Sequence, residues 1–160
     1  MSGTVRPTAP TSPGGVLGQI FRRLDDVPYT VPALPLRLAA ANVFWSSGTT
    51  KLSNWETTLF LFTDEYKLPL LPPELAAYMA TAVELTMPVL LVLGFLTRPA
   101  AFVLLGMTAV IEIFVYPQAW PTHLQWAAIL VVLLCRGPGK ISLDHLIGRR
   151  LSRRTGEATP

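Results

Sequence analysis

Four long apolar runs, with one long and two short connections between them, occupy the chain from Leu34 to Arg136. The first runs from about Leu34 to Thr50, with Pro35 placed in the first helical turn. The second, Leu75 to Leu96, has 22 residues and one charge, Glu84. As a helix it rises about 33 Å at 1.5 Å per residue, enough for a hydrocarbon layer of about 30 Å. The third runs from Pro99 to about Trp120, after a tight turn formed by Gly94, Thr97, Arg98 and Pro99. The fourth, Pro121 to Arg136, has only 16 residues and rises about 24 Å, so a re-entrant segment is its alternative. Gly137-Pro138-Gly139 stops it abruptly and a basic tail follows, which favours a fourth span. The pattern predicts an all-α membrane protein: a four-transmembrane-helix bundle, with interfacial helices at the N-terminus and in the first outer loop.

The flanking segments have other patterns. Residues 1–15 are rich in Pro, Thr, Ser and Gly without an apolar stretch, which predicts a disordered tail and no cleaved export signal. In residues 16–30, Leu17, Ile20, Phe21 and Leu24 fall at helical spacing beside Arg22 and Arg23, the pattern of an amphipathic segment lying on a membrane. Trp55 to Tyr66 is too short and too charged to span, and is expected to fold over the mouth of the bundle. The membrane domain is placed at 31–147. After the Gly-Pro-Gly stop the chain is amphipathic through Ile141, Leu146 and Ile147, then forms a basic tail over 148–160.

Composition agrees: 51% hydrophobic and 14% charged residues is too apolar for an ordinary soluble surface. Arg6, Arg22, Arg23, Arg98, Arg136, Lys140, Arg149, Arg150, Arg153 and Arg154 all fall on one side of the predicted membrane. The first outer loop has only Lys51 and Lys67, against Glu56, Asp64, Glu65 and Glu74. Positive residues stay inside, so both termini are expected to be cytoplasmic. The same clustering reads as topology and argues against nucleic acid as a partner. The lone Cys135 excludes an internal disulfide and Cys-x-x-Cys chemistry. His123 and His145 are too few and too far apart for a metal site within one subunit.

Candidate chemistry centres on intramembrane polar residues. A carboxylate at the depth of Glu84 costs about 2.5–3.5 kcal/mol unless it faces protein, water or an opposite charge. On the first run Arg37, Ala41, Phe44, Gly48 and Lys51 share one helical face, making Arg37 and Lys51 the available partners. Glu84 is therefore either an ion-pair tie or a proton carrier. Asn42, Ser46 and Thr49 form a second stripe, read as interhelical packing or as part of a polar cluster. Glu112, in the outer half of the third run, is a second candidate proton carrier. His123 and Trp126, with Trp120 and Gln125 nearby, sit at its depth. Together they suggest an aromatic-lined outer pocket suited to a planar quinone headgroup, or an interfacial aromatic belt.

RLAAANVFWSSGTTKL on the first run, LLVLGFLTRPA after Glu84, and GPGKISLD after the fourth run resemble the DoxX family of small four-helix bacterial membrane proteins. The likeness covers roughly Leu34 to Leu146 and places Arg37, Gly48, Lys51, Leu52, Glu84, Gly94, Thr97, Arg98, Gly137, Gly139, Ser142 and Asp144 on the family's pattern. The family is similar to DoxD, a membrane subunit of thiosulfate:quinone oxidoreductase. The resemblance implies a redox-associated subunit in a bacterial inner membrane, with quinone as the candidate cofactor and no metal. It also implies the lipid bilayer, a soluble or membrane redox protein, and further copies of the chain as partners. The alternatives are a non-catalytic anchor or assembly factor for a soluble enzyme and, less well supported, a small-solute carrier.

Overall fold

The structure is a computed structural model that describes residues 16–69 and 71–156; the predicted tail over 1–15 lies outside them. All regular secondary structure among the described residues is helical. Helix α1 spans Val16–Asp25, α2 Thr30–Ser53, and α3 Trp55–Phe60, continuing into a π-helical turn at Leu61–Tyr66. Helix α4 spans Pro73–Leu93, and α5 spans Thr97–Val110 with a second π-helical turn at Ile111–Val115. A 3-10 turn at Pro117–Ala119 leads into α6, Trp120–Arg136, and α7 covers Leu143–Gly156.

Local sequence sets the boundaries. Pro73 begins α4, where its missing N–H is not needed. Gly94 ends α4 in the left-handed region at φ 64°. Its N–H donates to Leu91 O at 3.1 Å and that of Phe95 to Leu90 O at 3.0 Å, the paired bonds of a Schellman stop. Pro88, buried inside α4, cannot donate to the carbonyl four residues back; that carbonyl belongs to Glu84.

Helices α2, α4, α5 and α6 pack in a ring, α2 on α4, α4 on α5, α5 on α6 and α6 back on α2. The core between them holds Phe44, Leu91, Leu104, Leu130 and Leu133, with Ala40, Ala41, Ala100 and Ala101 at the closest approaches. Small residues let the backbones draw together. Many large apolar side chains instead point outward, including Val89, Val92, Phe102, Ile113, Leu124 and Val131. A soluble protein would bury such a surface.

Among the described residues, three helical stretches are long and apolar enough to cross a membrane: Pro73–Leu93, Thr97–Val115 and Pro117–Arg136. The last corrects the expectation of a short fourth run. Its 3-10 turn and Trp120 extend it to 20 residues, about 30 Å if wholly helical. Helix α2, the first predicted span, has 24 residues but is not among these three, because Arg37, Asn42, Lys51 and its serines and threonines dilute the apolar run.

Candidate functional site

Two faces of α2 do different work. Ala41, Phe44 and Gly48 are buried, whereas Asn42, Ser46 and Thr49 are exposed. Gly48 sits so close to α4 that a Cβ there would stand 2.9 Å from Leu85 Cδ2 and 3.0 Å from Glu84 Cβ. This contact brings the last turn of α2 over Glu84. Lys51 Nζ lies 2.8 Å from each carboxylate oxygen of Glu84. Ser47, one turn earlier, donates to Glu84 Oε1 at 3.0 Å and accepts from Lys51 Nζ at 2.9 Å. Glu84 is 1% exposed, so the triad holds a desolvated ion pair whose stability depends on the missing water being replaced. Oε2 receives no well-aligned hydrogen bond, leaving acceptor capacity beside the ammonium.

These three residues form one wall of a cavity of about 240 Å³. It is far larger than the roughly 10–15 Å³ a single water requires, yet small beside pockets of about 300–1,000 Å³ for drug-sized ligands. Phe44, Trp126 and His123 line it from α2 and α6. Trp126 packs edge-on to Phe44 at 5.9 Å and lies 5.0 Å from the His123 ring, centroid to centroid. Both π-helical turns contribute, Phe62 and Tyr66 from one, Ile111 and Val115 from the other. Such wide turns redirect side chains that a regular helix would place elsewhere, and they concentrate at functional sites.

A second acid–base pair stands across α5 and α6. His123 Nδ1 lies 2.6 Å from Glu112 Oε2. His123 is 5% exposed, whereas the Glu112 side chain is 33% exposed. Glu112 lies outside the cavity, in a groove shared with Thr108, Trp120 and Leu124, and His123 reaches both spaces. With a carboxylate on Nδ1, that nitrogen carries the proton and Nε2 is the ring's free nitrogen.

Tyr116 links the cavity's cover to α5. Its hydroxyl donates to Glu65 Oε1 at 2.9 Å and lies 3.3 Å from that of Tyr66. The Tyr66 hydrogen bond, burial and the Glu65 carboxylate all push the Tyr116 phenol above its ordinary range, keeping it a neutral donor.

The structure separates other residues that the sequence placed together. Arg37 does not reach Glu84. It is buried at the far end of α2, where Nε donates to Leu91 O at 2.7 Å and Nη2 to Val92 O at 2.5 Å. Nη1 donates to Ile141 O at 2.6 Å and Pro138 O at 3.1 Å. One guanidinium thus gives Val92 O its donor, adds a second one to Leu91 O beside the Gly94 N–H, and ties the end of α4 to the Gly-Pro-Gly loop. Asn42 faces outward, away from both pairs. Of the expected outer pocket, His123 and Trp126 enter the cavity, Glu112 and Trp120 enter the adjoining groove, and Gln125 is exposed. Ser47, Phe62 and Tyr116 were not singled out in the sequence, and Tyr66 only as the end of the segment expected over the mouth of the bundle. Only Ser47 had a local signal, four residues before Lys51 and so on its face.

The remaining signature positions meet at the Arg37 end. Asp144 accepts from Leu96 N at 2.8 Å and Thr97 N at 3.0 Å, and its own N–H donates to Gly94 O at 2.9 Å. Ser142 accepts from His145 N at 3.2 Å, capping α7. A Cβ on Gly94 would lie 2.5 Å from that of Ser142. Gly94, Thr97, Ser142 and Asp144 therefore hold loops together, well apart from the cavity.

A sequence profile of the DoxX family matches residues 33–117, more than half of the chain. The chain belongs to the DoxX family. An uncharacterized protein of Haemophilus influenzae is 31% identical over 132 residues, covering 73% of this chain and 83% of that relative. No solved structure matches. The DoxX match contains Lys51, Glu84 and Glu112 and ends before His123 and Trp126. With three apolar helices of spanning length, this DoxX protein is a multi-pass membrane protein.

Proposed function

We propose that the cavity is the headgroup site of a membrane quinone, and that this DoxX protein is the quinone-facing subunit of a redox complex in the bacterial inner membrane. The reading rests above all on an aromatic-walled cavity with Lys51–Glu84 on one wall and His123, backed by Glu112, on another. Helix α2 completes a four-span bundle, its charged groups facing protein, and the arginine-rich end with both termini lies in the cytoplasm.

A quinone ring is apolar on its faces and polar at two opposed carbonyls, so it suits aromatic walls carrying separated hydrogen-bonding groups. Lys51 supplies an N–H donor to one carbonyl, and Nε2 of His123 pairs with the other oxygen as an acceptor once that oxygen is the hydroxyl of the quinol. Reduction to the quinol consumes two electrons, from a redox partner subunit, and two protons. The two protons come from water, and Glu84 and the His123–Glu112 pair are the acid–base groups placed to take them up and pass them on.

Glu84→Gln keeps the size and one hydrogen-bond acceptor but removes the charge and the capacity to take up and release a proton. In the purified native complex, quinone reduction should fall at least about 100-fold, the lower range for one acid–base group. Helical content and assembly should be retained. Unchanged turnover would remove Glu84 from the chemistry. Lost assembly would make the pair a structural tie alone.

A further inference from the structure

A second concave site lies at the opposite end of the bundle, where the α1–α2, α4–α5 and α6–α7 connections meet. Its volume is about 600 Å³. Arg98, Arg136, Lys140 and His145 line it with Tyr29 and Leu96. Its one acidic residue is Asp144, whose oxygens already accept from Leu96 N and Thr97 N. Among the described residues the cations have no carboxylate partner within ion-pair distance. Arg98 makes one long bond to Cys135 O, 3.3 Å, and Arg136 stacks 5.2 Å over the Tyr29 ring. Tyr29 donates its hydroxyl to Gly137 O at 3.0 Å, and Lys140 N donates to Thr30 Oγ1 at 3.1 Å. The walls are therefore fixed by contacts that leave the charges unneutralised.

We infer that this site binds the phosphate of an anionic phospholipid, with Arg98, Arg136 and Lys140 as its cationic contacts. A concave cluster of cations with one preoccupied acid selects an anion, and arginine's planar fork matches phosphate oxygens. The setting selects a lipid. Exposed Leu96 and Pro99 border the site, and α7, which begins at the site with Asp144 and His145, exposes Leu146 and Ile147 in its next turn. That composition places the cations at headgroup depth with apolar surface for the acyl chains. In the orientation proposed above, the site faces the cytoplasmic leaflet, where basic pockets between helices recognise anionic headgroups. The inference does not depend on the quinone cavity.

The test uses the full chain in detergent, with phosphatidylglycerol, phosphatidylcholine and inorganic phosphate as probes, bound lipid being counted by native mass spectrometry. One phosphatidylglycerol should bind saturably, about tenfold or more tighter than phosphatidylcholine. The variant R98Q/R136Q/K140Q should lose that preference and R98K/R136K should keep most of it, which separates charge from folding. R149Q/R150Q, altering α7 outside the site, should leave it unchanged. Equal preference in wild type and the triple variant would overturn the site. Loss in R149Q/R150Q would transfer the attraction to the basic helix at large. Displacement of the lipid by millimolar inorganic phosphate would make it a site for a free phosphate instead.

Discussion

Replacing Lys51 with leucine destabilises the bundle by about 3–5 kcal/mol, because it leaves Glu84 as a buried charge without its counter-ion. That is a large share of the roughly 5–15 kcal/mol that holds a domain folded. Glu84 is 1% exposed and its other side-chain partner is a single hydroxyl, Ser47. The double variant K51L/E84L should recover most of the loss, since matched apolar residues often replace a buried pair at little cost. Thermal unfolding of wild type, K51L, E84L and K51L/E84L in one detergent measures the coupling. Equal losses in K51L and K51L/E84L would mean that packing by the lysine stem, rather than the pair, stabilises the bundle.

Arg37→Leu has an effect of similar size at the other end. It deprives the carbonyls of Leu91, Val92, Pro138 and Ile141 of their shared donor. Leu91 O keeps the Gly94 N–H, and each of the other three carbonyls left unpaired costs about 1–3 kcal/mol, so satisfying one of them with water still leaves a loss of about 2–6 kcal/mol. Arg37→Lys keeps the charge but replaces a planar five-donor fork with a compact ammonium, and should recover only part. Limited proteolysis reads the result: cleavage in the Gly137–Lys140 loop should accelerate in R37L, least in wild type, with R37K between. Because Arg37 stands apart from the cavity, quinone affinity per folded molecule should be unchanged in R37K.

Much of the architecture was legible because a bilayer imposes long apolar runs, and the face containing Arg37, Phe44, Gly48 and Lys51 is indeed buried or half-buried. The partner of Glu84 was not legible. Arg37 and Lys51 share that face but stand about 21 Å apart along α2, 14 residues at 1.5 Å each, so only one can reach a given carboxylate. The choice depends on how far α4 is shifted against α2. That shift is fixed by Gly48 packing on Leu85 and by the folded connection between α2 and α4, neither of which periodicity encodes.

The cavity was legible only on its α6 side, where His123 and Trp126 are three residues apart. Its other wall requires Phe62 and Tyr66 to return over the bundle, and π-helical turns have no simple sequence period. The signature around Gly94 and Asp144 shows the opposite case. Its order along the chain was plain, but its role in joining loops became visible only where Asp144 meets the start of α5.

Trp126 offers the most direct measurement of whether the cavity holds a quinone ring. A short-chain quinone titrated into the purified protein should quench tryptophan fluorescence saturably, because Trp126 lines the cavity. The saturable component should vanish in Trp126→Phe, which leaves Trp45, Trp55 and Trp120 as collisional controls, and should weaken in Glu84→Gln. Quenching that rises linearly with quinone and is the same in wild type and Trp126→Phe would contradict a quinone in the cavity.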